Sequence, residues 1–285
     1  PYPFKNGLAA AVVDQGHMKL GASALTVAAL AKYTEVTGDR KYFDILKRLG
    51  LYLEMSQLET GEFICKRNYP EGKNLNFQSE YFPGEAILAL VRLYALDSQD
   101  HWLNSAEKGV SYLINVRDKD KPIDQLLHDH WLLMALNELR QYRPNPSYAG
   151  HAIKVAESIL ISQNLNPSFP DYLGSYGNPP RSTPVATRSE GLIAAYYLAR
   201  DSGSLLIAQD IVKALRLNVR FQLLTQFLPE SAMYFRDPRK ILGAFHSSLT
   251  VPEIRIDYNQ HNISSLLGLY HILNDQSLSV SSNEA

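Results

Sequence analysis

The sequence predicts an all-α fold in which helical hairpins pack in two layers. Three observations predict it. Apolar segments rich in small residues recur along the chain, each followed by a longer segment with one polar face. Glycine, proline and short polar clusters separate the two members of each pair. Three of the second members end alike, in a glutamine followed by a Gly or Pro and then a Phe. With 285 residues, 45% of them apolar and 20% charged, the chain can bury one large core.

The first pair opens at Gly21 with GASALTVAALAKYTEVTGD, where Ala24, Val27, Ala28 and Ala31 recur in helical period and Gly38 supplies a stop. Its partner spans Arg40 to about Gln57. The second pair opens at Pro83-Gly84-Glu85, since proline suits a first helical turn and a carboxylate suits the positive end of the helix dipole. It turns near Asp97-Ser98 and returns through Trp102 to Val116. The third pair starts at His128-Asp129-His130, breaks at Pro144 and Pro146, and returns from Tyr148 to Gln163. The fourth starts at Thr187-Arg188-Ser189-Glu190, breaks at Ser202-Gly203 and returns to Gln226, and a fifth begins at Asp257. One domain over residues 1–274 is expected, followed by a polar, disordered tail over residues 275–285. The only strand pairing expected is a hairpin near Glu62 to Lys66.

The shared endings are Gln57 with Gly61-Glu62-Phe63, Gln163 with Pro167-Ser168-Phe169, and Gln226 with Gly243-Ala244-Phe245. The first helices, aligned on Gly21, Gly84, His130, Gly191 and Asn262, are separated by 63, 46, 61 and 71 residues. That spacing is longer and less regular than an open superhelix uses, so a ring with loop insertions is favoured. First helices that are apolar nearly all round fit an inner layer buried on both sides.

On these endings, together with the segments YFPGEAILALVRLY and HDHWLLMALNEL, the chain resembles the (α/α) toroid class. This is the six-hairpin architecture of many glycoside hydrolases, polysaccharide lyases and N-acylglucosamine 2-epimerases. The resemblance covers roughly residues 17 to 274. It implies a toroid of about four to six helical hairpins, either a smaller ring or one lacking its first hairpins at the N-terminus, with carbohydrate chemistry in the central cavity.

Composition excludes several alternatives. Lys plus Arg is 28 against 29 for Asp plus Glu, a formal charge of −1, so nucleic acid is excluded as the main partner. The lone Cys65 makes no internal disulfide and has no metal-ligand spacing around it. No 18-residue apolar run exists to span a membrane, so a soluble protein is expected, its compartment and oligomeric state unread. Searches for G-x-S-x-G, G-x-x-x-x-G-K-[ST], G-x-G-x-x-G and H-E-x-x-H find nothing, which removes serine-hydrolase, P-loop and Rossmann readings. His128 and His130 diverge at i, i+2 on a helix, so no metal is expected, and no cofactor either.

If the inner helices run in one direction, their N-termini gather at one mouth and favour anions there. The catalytic candidates at these starts are Asp129 and Glu190, as general acid and base, with His130 and His261 as proton shuttles. In the 2-epimerases that the chain resembles, two histidines on opposite sides of the cavity exchange the proton next to a carbonyl. The resemblance implies that role for His130 and His261, although no family histidine motif matches residue by residue. Substrate-binding candidates are Glu85, Arg188, Asp257, Trp131, Tyr81, Tyr176 and Tyr258. Arginine can hold a uronate bidentately, and 17 tyrosines offer faces on which sugars stack.

Plainer readings stand beside these. First-turn carboxylates are often only caps worth about 0.5–2 kcal/mol. The Arg-x-acid pairs Arg188/Glu190 and Arg255/Asp257 can simply tie loops down. Residues 167–184, PSFPDYLGSYGNPPRSTP, have the composition of a binding loop or lid, or of a plain surface excursion. The expected function is a carbohydrate-active enzyme acting on a sugar or uronate, a glycoside hydrolase first. A sugar epimerase or isomerase with two histidine bases is the alternative, and a non-catalytic glycan-binding or scaffolding module the third reading.

Overall fold

A computed structural model describes residues 2–281, with side chains described for residues 2–275. By packing, the chain divides into two compact units: Pro1–Pro122 with Trp131–His151, and Ile123–His130 with Ala152–Ala285.

The first unit opens with short strands that the sequence reading does not anticipate. β1 (Tyr2–Phe4) pairs antiparallel with β2 (Ala9–Ala11), and β3 (Val13–Asp14) with β4 (His17–Lys19). Asn6-Gly7 and Gln15-Gly16 make the two reversals, all four residues at positive φ. Alternation is absent because all three alanines of β2 are buried, so the turn pairs were the only available signal. Helix α1 (Leu20–Thr37) ends at the expected glycine, Gly38, whose left-handed backbone returns its N–H to the Thr34 carbonyl.

After α2 (Phe43–Met55) comes β5 (Lys66–Asn68), which pairs with β4 through Met18 and Arg67. Around the hairpin expected near Glu62 to Lys66, residues 62–64 pair back on 56–58 through the Gln57–Phe63 bridge, while Arg67 of β5 also bridges Asn74. Then follow α3 (Phe82–Asp97), α4 (Asp100–Tyr112) with a π-helical turn at Leu113–Arg117, and α5 (His130–Leu139). Helix α3 is buried without a break from Pro83 to Val91, as an inner-layer helix should be. Burial of Ile87, Leu88, Leu90 and Leu93 stabilises the unit by roughly 1.5–3 kcal/mol each. Helices approach closely at glycines: a Cβ on Gly21 of α1 would overlap Phe82 and Glu85 of α3.

Helix α6 (Pro146–Ile161) runs from the first unit into the second. The second unit continues with α7 (Ser182–Asp201), α8 (Leu205–Leu224), the short α9 (Pro229–Ala232) and α10 (Pro238–Ile241), the hairpin β6 (His246–Ser248) and β7 (Val251–Ile254), and α11 (Ile256–Ser281). Helix α7 begins at Ser182, not at Thr187. Pro184 sits in its first turn, where a missing N–H costs no hydrogen bond, so this proline does not break the helix. Arg188 and Glu190 consequently lie inside the helix, and the helix-start argument does not apply to them. Helix α11 extends past Asp275, where the sequence reading places a disordered tail; residues 282–285 of that tail lie outside the described residues.

The repeated endings prove to be a structural motif. Gln57 forms a β-bridge with Phe63, Gln163 with Tyr176, and Gln226 with Phe245. In each case the glutamine Nε2 donates to a glycine carbonyl two residues before the aromatic: Gly61 at 3.3 Å, Gly174 at 3.5 Å and Gly243 at 3.0 Å. Those glycines have φ of 96°, 84° and 83°, a backbone that favours glycine. The second copy is thus Gly174-Ser175-Tyr176 and not Pro167-Ser168-Phe169. Gln57 also donates to the Ser105 carbonyl of α4 and Gln163 to the Ala214 carbonyl of α8. Each unit therefore fixes one hairpin's end onto the second helix of the next pair by the same contact. Among the described residues, no helix is long and apolar enough to cross a membrane.

Candidate functional site

Three of the four expected catalytic residues meet inside the second unit. His130 is the first residue of α5, Glu190 lies on α7 and His261 near the start of α11. α7 and α11 come close because Gly268 presents no side chain to Ile193. His261 Nδ1 lies 2.7 Å from Glu190 Oε2, and His130 Nε2 lies 3.9 Å from the same oxygen. The two imidazoles meet edge to face, with ring centres 5.6 Å apart and planes at 80°. All three are buried, with exposures of 4%, 6% and 9% for His130, Glu190 and His261.

A carboxylate oxygen only accepts, so His261 Nδ1 donates in this contact, and in the neutral ring Nε2 is then the nitrogen that carries the lone pair. Burial pushes His130 down to about 3, helped by His261 and Arg188 nearby, so its ring is neutral at physiological pH. The donor atoms of the three residues lie within 4.8 Å of one another, a spacing a metal ion could also bridge; among the described residues no other group does so.

A second polar group adjoins the first. Arg188 Nε donates to His128 Nδ1 at 2.9 Å, and its Nη1 to the Pro184 carbonyl at 3.0 Å. The guanidinium stands over the ring of Tyr176, 4.9 Å from its centre. Because His128 Nδ1 accepts, its Nε2 carries the proton and donates to Ser158 Oγ at 3.0 Å. Burial and the neighbouring Arg188 charge hold His128 down at about 4. A buried amide and hydroxyl network supports α7 from behind: Gln163 donates to Asn218 at 2.7 Å, and Asn218 to Ser189 at 3.0 Å.

No protein-family model matches the sequence, and no curated protein matches it either. Solved structures do match. A D-mannose isomerase superposes with a TM-score of 0.63 at 11% identity, over 90% of this chain and 72% of that one. The α-1,6-mannanase of Salegentibacter sp. HEL1_6 gives 0.61 at 15% identity, over 90% and 76%. A cellobiose 2-epimerase from Bacillus thermoamylovorans B4167 gives 0.59 at 14% identity, over 89% and 72%.

The chain has the (α/α) toroid fold.

Within this toroid chain the remaining candidates fall into distinct settings. Asp129 directly precedes α5 and is 1% exposed. Tyr176 is buried under Arg188, so its ring supports the guanidinium and offers no face to a sugar. Burial also raises its phenol well above the usual range. Tyr258 is buried as well: its hydroxyl donates to Glu253 at 3.2 Å and accepts from Arg181 at 3.3 Å. Asp257 pairs with Arg255, two residues before it, at 3.0 Å near the surface. Arg188 and Glu190 turn to different histidines, so that Arg-x-acid spacing is not a repeat of the Arg255/Asp257 pair. Glu85, Tyr81 and Trp131 belong to the first unit. Glu85 is buried in the first turn of α3 beside Gly21, and Tyr81 is 43% exposed at the same helix start. Sequence reasoning missed Ser158, Ser189 and Asn218; the available signal was a polar residue on the buried, otherwise apolar face of α8.

Proposed function

We propose that this chain is a sugar isomerase or epimerase in which His130 and His261 move the proton on the carbon beside a sugar carbonyl, and Glu190 orients His261. The observation that carries this reading is the 2.7 Å contact between His261 Nδ1 and Glu190, with neutral His130 edge-on to the same pair. An imidazole whose Nδ1–H is fixed on a carboxylate presents Nε2 as a general base in one orientation. On an open-chain aldose, that base removes the C2 proton, and the C1 carbonyl becomes an enediol hydroxyl. Return of a proton to C1, with loss of the O2 proton, yields the ketose.

The spacing of the two rings bears on stereochemistry. A substrate between them would need about 7 Å, two van der Waals contacts of about 3.5 Å each. Ring centres only 5.6 Å apart leave no such gap. The expectation of two histidines facing each other across a cavity is therefore replaced by two histidines side by side, acting on one face of the sugar. Proton transfer on one face favours the aldose-to-ketose exchange over inversion at C2.

Hydrolysis is the second reading, supported by the mannanase fold and by the buried carboxyls Asp129 and Glu190. A variant of that mannanase with two adjacent aspartates replaced is inactive, and this chain has no two acidic residues side by side. Incubation with D-mannose, D-glucose and α-1,6-mannotriose, followed by product analysis, tests both readings. A ketohexose supports the proposal; release of mannose from the trisaccharide without ketose formation replaces it with the hydrolase.

A further inference from the structure

The first unit holds a cleft that shares no residue with the proton-transfer cluster. It is lined from residues 31–35 of α1, 91–96 of α3 and 138–142 at the end of α5, so the C-terminal turns of three first-of-pair helices converge on one opening of about 430 Å³. That volume falls in the roughly 300–1,000 Å³ range of small-molecule pockets.

The rim carries both kinds of hydrogen-bonding group and no net charge. Arg92 meets Glu138 through Nε, at 3.1 Å to both oxygens, and through Nη2 at 2.7 Å, which leaves the Nη1 hydrogens for a ligand. Lys32 and Glu35 pair at 2.8 Å one turn apart, each side chain 61% exposed, a contact weak enough to be exchanged. Beside them stand the Gln141 side-chain amide and the Tyr142 hydroxyl, neither bonded to protein among the described residues. Burial raises the Tyr142 phenol, with Glu138, Tyr94 and Glu35 adding to the effect, so the hydroxyl keeps a proton to donate. The floor is apolar, with Ala31 and Val91 buried beneath it. The Tyr142 ring is 40% exposed and held edge to face by Tyr94, ring centres 5.0 Å apart.

These features select a ligand class. Two cations and two anions cancel, so an ionic ligand would have to break an ion pair to use either sign. Each hydroxyl of a sugar both donates and accepts, so one molecule can bond a guanidinium, a carboxylate and an amide together. The C–H face of a pyranose suits an apolar floor beside a fixed aromatic ring.

We propose that this cleft is a second saccharide site, holding a neutral sugar unit against Tyr142 with Arg92, Glu138 and Gln141 on its hydroxyls. It goes beyond the proton-transfer reading of His130, Glu190 and His261 and does not rest on it.

The test is a titration of the intact, ¹⁵N-labelled chain with cellobiose, followed by amide NMR. Saturable shifts are expected at the Gln141 side-chain amide and at the backbone of residues 92–96 and 138–142. The titration is repeated on Ala95→Trp, which places an indole in the cleft from an exposed helix position, and on Gln141→Ala, each checked for folding by thermal denaturation. Ala95→Trp should weaken the response at least tenfold and Gln141→Ala by a few fold. His261→Gln should leave it intact, which keeps the fate of this site apart from that of the proton-transfer reading. Absence of these shifts in the wild type overturns the proposal, as does a response that a folded Ala95→Trp leaves unchanged. A stronger response to putrescine or to glucuronate than to cellobiose also overturns it, and makes the cleft an ion site.

Discussion

His261 and Glu190 form one proton-handling pair: Nδ1 of the first lies 2.7 Å from Oε2 of the second, although the two are 71 positions apart in sequence. The carboxylate decides which nitrogen of His261 carries hydrogen, and the backbone of α7 decides where that carboxylate sits. Removing the carboxylate should therefore act on the histidine. Glu190→Gln, which keeps an acceptor oxygen, should slow sugar proton exchange about tenfold, and Glu190→Ala about 100-fold. Steady-state kinetics on both variants check the order; equal loss in the two would mean that orientation is not what Glu190 supplies.

Two neutral histidines, His130 buried and His128 half-buried, make the fold acid-sensitive. His128 and His130 have folded-state values of about 4 and about 3, below the ordinary 6.5. The unfolded chain therefore binds more protons than the folded one below pH 6.5, and stability falls as pH drops from there toward 4. Thermal denaturation between pH 7.5 and 4.5 should show a falling Tm. His128→Asn should flatten that slope; a slope unchanged in the variant would contradict the assignment.

Glycines of the repeated motif should differ in cost. A Cβ at Gly61 would overlap the Lys108 carbonyl, and at Gly174 the Leu217 carbonyl, while at Gly243 it meets nothing. All three carry positive φ. Alanine at 61 or 174 should destabilise by about 3 kcal/mol or more, through strain plus displaced backbone, and at 243 by about 1–2 kcal/mol from strain alone. Urea unfolding midpoints measure this directly.

The helical hairpins were legible because their signals are local: period, Gly38 as a stop, Pro83 as a start. Gln57, Gln163 and Gln226 were legible as a repeat, yet the partner of Gln163 was misassigned, since the loop to Gly174 is longer than its counterpart and Pro167-Ser168-Phe169 mimics the pattern. The N-terminal strands were hidden because β2 is three buried alanines without alternation. At the site, residue types were readable and pairings were not. Arg188 and Glu190 are two positions apart, and an ion pair between them was the plainer reading, whereas packing of α7 against residues from 60 and 71 positions away turns them to His128 and His261.

Asp129 and His261 should respond differently to substitution. If the histidines move the proton, Asp129→Asn should leave measurable turnover, and His261→Ala should lower it at least 100-fold. Matched initial rates on one aldose decide it; loss in both equally would return the carboxylates to the centre of the chemistry.

The most direct measurement is incorporation of deuterium from heavy water into an aldose and its product, followed by proton NMR for the wild type and His261→Gln. The account predicts loss of the C2 proton signal and appearance of a singly deuterated ketose C1 with the wild type, and neither with His261→Gln. Turnover of sugar with no solvent deuterium at C1 or C2, or unchanged exchange in His261→Gln, would contradict it.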